Sequence, residues 1–156
     1  PEDVPATPDT AVADTTPVAS GLTATLNGKS IVFGTLSTSI YADAAGTSGT
    51  TTLQGVAAKT GKALVGAVVD LRISGVVPGT YECTFKYTAE IVDSSTPYDK
   101  FSTLSGGTCS AVLLTSGKTG GSVSGTFEAS GIEKTAFTVT GGTFSAPIDL
   151  YNAPPR

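Results

Sequence analysis

From Leu22 onward apolar positions recur every second residue, and almost no 3.6-residue pattern competes with them. Leu22, Ala24 and Leu26 alternate with Thr23 and Thr25. Asn27-Gly28 then supplies a type I′ turn signal, and Ile31 and Phe33 resume the apolar face, so residues 21–34 read as a β-hairpin. Short strands follow over Ser39–Ala42 and Thr51–Ala57, with a small-residue turn at Ala44–Gly49 between them and a second turn at Thr60-Gly61. Lys62–Ser74 sets Val65, Ala67, Val69, Leu71 and Ile73 on one face; Gly66 and the β-branched content argue for a strand over a helix. Tyr81–Val92, entered through a Pro78-Gly79 turn, is the clearest strand. Tyr81, Cys83, Phe85, Tyr87, Ala89 and Ile91 point one way, and Glu82, Thr84, Lys86, Thr88 and Glu90 point the other.

The rest of the chain repeats the scheme with shorter pieces. Asp93–Asp99 reads as a loop and Phe101–Leu104 as a short strand. Thr108–Thr115 and Ser122–Ala129 are separated by the Gly117–Gly121 turn, and Ala136–Val139 and Thr143–Ile148 by Gly141-Gly142. About nine to ten short strands with Gly-rich turns at regular spacing predict an all-β domain, an antiparallel two-sheet β-sandwich whose inner faces share one core.

Residues 1–20 are a different zone. They hold Glu2, Asp3, Asp9 and Asp14, no base, and four prolines. The chain carries 13 acids and nine bases, so the four tail acids account for its whole net charge of −4 and leave residues 21–156 formally neutral. Such a segment favours extended chain and builds no core, so the expected organisation is an acidic Pro/Thr-rich tail or linker over 1–20 and a β-sandwich over 21–156. In the tail, Ala11, Val12, Ala13 and Val18 are the apolar anchors from which it would add, as a strand, to a sheet edge.

Composition removes whole classes of chemistry. The 156 residues include no His, which excludes Ser-His-Asp and Cys-His nucleophilic systems, His-ligated zinc and His general bases. Seven Lys and two Arg spread thinly under an acidic balance give no electrostatic footprint for nucleic acid. No apolar run reaches the roughly 18–20 residues of a membrane span. Ser and Thr make up about a quarter of the chain, well above ordinary usage.

Cys83 and Cys109 are the only cysteines. The Thr/Ser/Gly-rich acidic composition fits an oxidising, extracellular setting, so a disulfide is expected, with two separately buried thiols as the alternative. Count and spacing exclude a redox CxxC or a zinc cluster. Asp93 and Asp99, with Asp43 beside them as a third carboxylate, are the candidates for an oxygen-ligand calcium site, although no EF-hand spacing exists and a solvated turn is the ordinary reading. Tyr41 and Tyr98 are candidates for a ligand surface such as a glycan groove beside the 93–99 loop. Glu82 and Glu90 share a solvated strand face, not a cleft of paired catalytic acids. No cofactor is called for, and no catalytic residue stands out.

The order of short motifs resembles a group of small bacterial envelope lipoproteins of largely uncharacterised function. The matching pieces are Thr23–Lys29 (TATLNGK), Pro78–Tyr81 (PGTY), Gly125–Phe127 (GTF) and Val139–Phe144 (VTGGTF), spread over most of residues 21–150. Some relatives also carry cysteines at the places of Cys83 and Cys109. The resemblance implies a secreted β-sandwich at the cell surface and supplies no catalytic residue; the lipid-bearing Cys of a lipoprotein's start is absent from this sequence. The chain opens without a basic or apolar signal segment, compatible with an exported protein whose signal peptide has been removed. The expected function is a non-enzymatic extracellular structural or adhesive protein, a filament subunit linked to other copies by strand addition. The alternative is a cell-surface binding module for glycan, calcium or a protein partner.

Overall fold

The computed structural model describes residues 21–58, 64–91, 98–103, 106–133 and 135–154. Among these residues eleven strands occur in chain order: β1 (Gly21–Leu26), β2 (Lys29–Phe33), β3 (Leu36–Ala42), β4 (Gly49–Ala58), β5 (Leu64–Ile73), β6 (Gly79–Ile91), β7 (Tyr98–Ser102), β8 (Thr108–Thr115), β9 (Ser122–Glu133), β10 (Thr135–Pro147) and β11 (Leu150–Asn152). There is no helix among the described residues beyond a single 3₁₀ position at Thr103. The all-β expectation holds. The strands form one hydrogen-bonded set in the order β11-β3-β4-β5-β6-β8-β9-β10-β1-β2, with β7 attached to β6, and the sheet curls into an open half-barrel. The expected division into two separate sheets is not how the ladders run, because β6 belongs to both halves.

The first hairpin forms as its sequence requires. Asn27 and Gly28 take positive φ of 50° and 82°, the pair a type I′ turn needs, and Leu26 faces Lys29 across it. Asn27 also ties the turn to β10: its side-chain oxygen accepts from the Thr138 amide at 2.9 Å, and its own amide donates to the Thr138 carbonyl.

Four elements differ from the sequence-based expectation. Strand β3 begins at Leu36, three residues early, because Leu36 is buried and pairs with Gly55. Strand β7 begins at Tyr98, so Asp99 lies on a strand and not in a loop. Ala136–Val139 and Thr143–Ile148 are not two strands: Gly141-Gly142 forms a bulge inside β10, which keeps β1 on one side and β9 on the other across it. Gly141 holds φ +60°, and the register to β9 jumps between Val139 and Gly142. The short strand β11 pairs parallel to β3, a departure from the purely antiparallel expectation. Asp149 sets that pairing by bracketing Thr38: its carboxylate accepts from the Thr38 amide at 2.8 Å and its amide donates to the Thr38 carbonyl.

The period-two residues converge on one core. Leu22, Phe33, Ile40, Leu53, Val69, Leu71, Ile73, Phe85, Leu113, Val123, Phe127, Phe137 and Val139 are buried. Each such side chain contributes roughly 1.5–3 kcal/mol relative to exposure. Rings join the two arms of the curl. Phe85 on β6 stacks on Phe127 of β9 at 5.8 Å, and Phe127 meets Phe144 of β10 at 6.4 Å. A second series runs from Phe33 through Tyr87 and Phe101 to Phe137. Two glycines make room for this: a Cβ on Gly142 would lie 2.6 Å from the Phe127 ring, and one on Gly125 would strike the Val112 carbonyl and the Phe144 ring.

Candidate functional site

The bend of the half-barrel is a fork in β6. Its first four residues, Gly79–Glu82, pair with β8, and Lys86–Glu90 on the same edge pair with β7. The opposite edge pairs with β5 from Cys83 to Ile91. The last β6–β8 pair is Glu82 with Ser110, so Cys83 and Cys109 come next in register, and they form a disulfide with Cα atoms 4.9 Å apart. The bridge therefore sits where β8 parts from β6. Thr103, buried between the tines, fills the fork: its hydroxyl accepts from the Phe85 amide at 3.0 Å and its carbonyl accepts from the Gly107 amide at 3.0 Å. Nothing in the sequence distinguished Thr103 from the other threonines.

A second corner precedes β6. The Tyr81 hydroxyl donates to the Val77 carbonyl four residues upstream at 2.7 Å, and its ring covers Gly75. The contact ties the start of β6 to the turn that leads into it, two residues before Cys83.

The predicted ligand residues do not converge. Tyr41 on β3 is about half exposed and pairs with Thr50 of β4. Tyr98 pairs with Glu90, which leads through Gly66 to Ala58, eight residues further along β4 than Thr50. At about 3.3 Å per residue the two tyrosines stand some 26 Å apart along the sheet and cannot line one groove. Asp93 lies outside the described residues, as do Ala11, Val12, Ala13 and Val18.

Asp43 is occupied as a loop staple. Its carboxylate accepts from the Thr47 amide at 2.8 Å, the Ser48 amide at 3.2 Å and the Ser48 hydroxyl at 3.0 Å. Those hydrogen bonds, the backbone amides of Thr47 and Ser48 foremost, hold its pKa below the ordinary aspartate value. Its donors come from its own loop, so Asp43 is engaged as a turn residue. No cluster of three or more metal-ligating side chains occurs among the described residues.

The outer face of β4, β5 and β6 carries a polar hollow of about 390 Å³, lined by Thr50, Asp70, Arg72, Ser74, Thr84 and Lys86 together with Phe85. Gln54 and Asp70 are register partners, as are Asp70 and Lys86, and Arg72 lies between Thr52 and Thr84. Asp70 accepts from Gln54 Nε2 at 3.1 Å and from Arg72 Nε at 3.2 Å. A second hollow of about 490 Å³ lies over the β10 bulge, lined by Ser110, Val112, Thr126, Glu128 and Thr143, where Gly141-Gly142 provide no side chains. Comparison with protein-family models, curated proteins and solved structures finds no match to this chain.

Proposed function

We propose that this chain is a non-enzymatic structural or adhesive protein working outside the cytoplasm, whose curled sheet acts as a two-layered sandwich scaffold. The observation that carries the reading is the Cys83–Cys109 bridge at the bend of the half-barrel. A disulfide in that place stiffens a scaffold and is characteristic of an oxidising compartment. The Tyr81 contact that braces the turn into β6 fits a stiff scaffold, and the resemblance of the motif order to small bacterial envelope lipoproteins favours a cell-surface setting.

Assembly follows from the edges. Among the described residues, β2 pairs only with β1, so Lys29–Phe33 offers an unpaired backbone edge. Strand addition there by Thr10–Ser20 of another copy would be heterologous and open-ended, giving a filament. Val12 and Val18, with Ala11 and Ala13, are the side chains that would anchor the added strand. The test is size-exclusion chromatography and electron microscopy of the full chain beside a chain truncated before Ser20. Concentration-dependent oligomers from the full chain alone support the mechanism; equal assembly by the truncated chain ends it. Thiol trapping of the protein at its native location tests the compartment: free Cys83 and Cys109 there would overturn the extracellular assignment.

A further inference from the structure

The outer face of β3–β6 carries a grid of polar side chains. One cross-strand rank is Gln54, Asp70, Lys86; the next is Thr52, Arg72, Thr84. Tyr41 and Thr50 pair in the rank beyond, on the side of Ser74. Three ranks two residues apart span about 13 Å, long enough for an oligosaccharide and too long for a lone ion.

The charges are arranged for an anion. Asp70 is largely covered, its side chain only 17% exposed, and both of its oxygens are engaged, one by Gln54 and one by Arg72 Nε. That contact pins the guanidinium on its Nε side, with a weaker one from Nη2 at 3.5 Å, while the side chain stays 59% exposed. The edge of the guanidinium not engaged by Asp70 is left for a ligand. Lys86 stands opposite Asp70 in register, and its ammonium makes no ion pair among the described residues. The hollow thus holds two cations and one already committed carboxylate, a local net positive charge on a body whose remaining groups sum to −1. Glu82, on the same face of β6 beyond Thr84, bounds the cationic part to the Arg72–Lys86 end.

We propose that this face binds a carboxylate-bearing saccharide of the uronate class. The sugar carboxylate pairs with the outward edge of Arg72 and with Lys86, as a planar fork and a point charge respectively. Thr50, Ser74 and Thr84 supply hydroxyls for the ring hydroxyls, and exposed Tyr41 supplies an aromatic surface at the neighbouring strand. A sugar fits better than an acidic peptide, because the lining beside the two cations is rich in hydroxyls (Thr50, Ser74, Thr84) suited to ring hydroxyls, and a sheet face offers a peptide no unpaired strand edge. The site is separate from the β2 edge, so its occupancy and filament assembly can fail independently.

The test is calorimetric titration of the full chain with an oligogalacturonate, beside cellopentaose and a tetra-aspartate peptide. Saturable binding of the oligogalacturonate alone, weakened by salt, is expected. R72Q lowers affinity at least tenfold, K86Q several-fold, and T126V, on the other arm of the sheet, leaves it unchanged. Arg72 and Lys86 are exposed, so both variants fold; circular dichroism checks this. No binding of the oligogalacturonate, equal binding of cellopentaose, equal or tighter binding of tetra-aspartate, or an unaffected R72Q would each overturn the assignment.

Discussion

Replacing both cysteines with alanine should destabilise the protein by a calculable amount. The bridge closes a loop with a sequence separation of 26, for which the chain-entropy relation gives about 3.5 kcal/mol at 25 °C. Loss of sulfur packing adds little, since each thiol is replaced by a small apolar group at the same backbone site. With a urea m-value of roughly 1.5–2 kcal/mol/M for a chain this size, the midpoint of C83A/C109A should fall by about 2 M. The assay is urea denaturation of oxidised wild type, reduced wild type and the double variant. Reduced wild type should match the variant, because both lack the crosslink and only one lacks the sulfurs. Position adds a second signature. Amide exchange should accelerate first in Gly79–Glu82 and Ser110–Leu113, the pairs beside the fork, and last in the β4–β5 ladder. A midpoint change under about 0.5 M would refute the idea that the bridge restrains the unfolded chain. Uniform acceleration across the sheet would refute its role as a local clamp at the bend.

Three further outcomes follow from particular contacts. Gly142→Ala puts a methyl against the Phe127 ring and should cost about 1–3 kcal/mol in thermal or urea unfolding, whereas Gly28→Asn in the I′ turn should cost far less. The lowered Asp43 pKa means its staple is complete above the ordinary aspartate range and lost only as pH falls through the depressed value; NMR should find the Thr47 and Ser48 amides titrating together below that range, and Asp43→Ala should abolish the titration. Asp149→Ala removes the side-chain acceptor of the Thr38 amide and should free β11, seen as faster exchange at Thr38 and a loss of about 1 kcal/mol.

Strand content and inward faces were legible in the sequence because alternation is a local property. Ala67, Val69, Leu71 and Ile73 are buried as their period-two spacing requires, and so are Cys83 and Phe85 on the best strand. The Asn27-Gly28 turn was equally legible, since only a few residue pairs tolerate two positive φ values in succession. Gly141-Gly142 misled for the same reason: a glycine pair marks a turn or a bulge, and the choice depends on whether strands β1 and β9 flank it.

The amino-acid order by itself determined an all-β chain without His-based chemistry, an acidic Pro-rich leader, and two cysteines in a composition suited to oxidation. Tertiary structure alone decided who neighbours whom. Period two assigns a side chain to a face and carries no information about the partner strand, so the Cys83–Cys109 pairing was expected from composition, but the shared β6, the fork at which that bridge and Thr103 sit, and the parallel β11 were invisible beforehand. For the same reason Tyr41 and Tyr98 looked like one surface and lie at opposite ends of the sheet, while Gln54, Asp70, Arg72 and Lys86, on three separate strands, meet on one. Register between distant segments brings functional groups together, and register is settled only when the whole core packs.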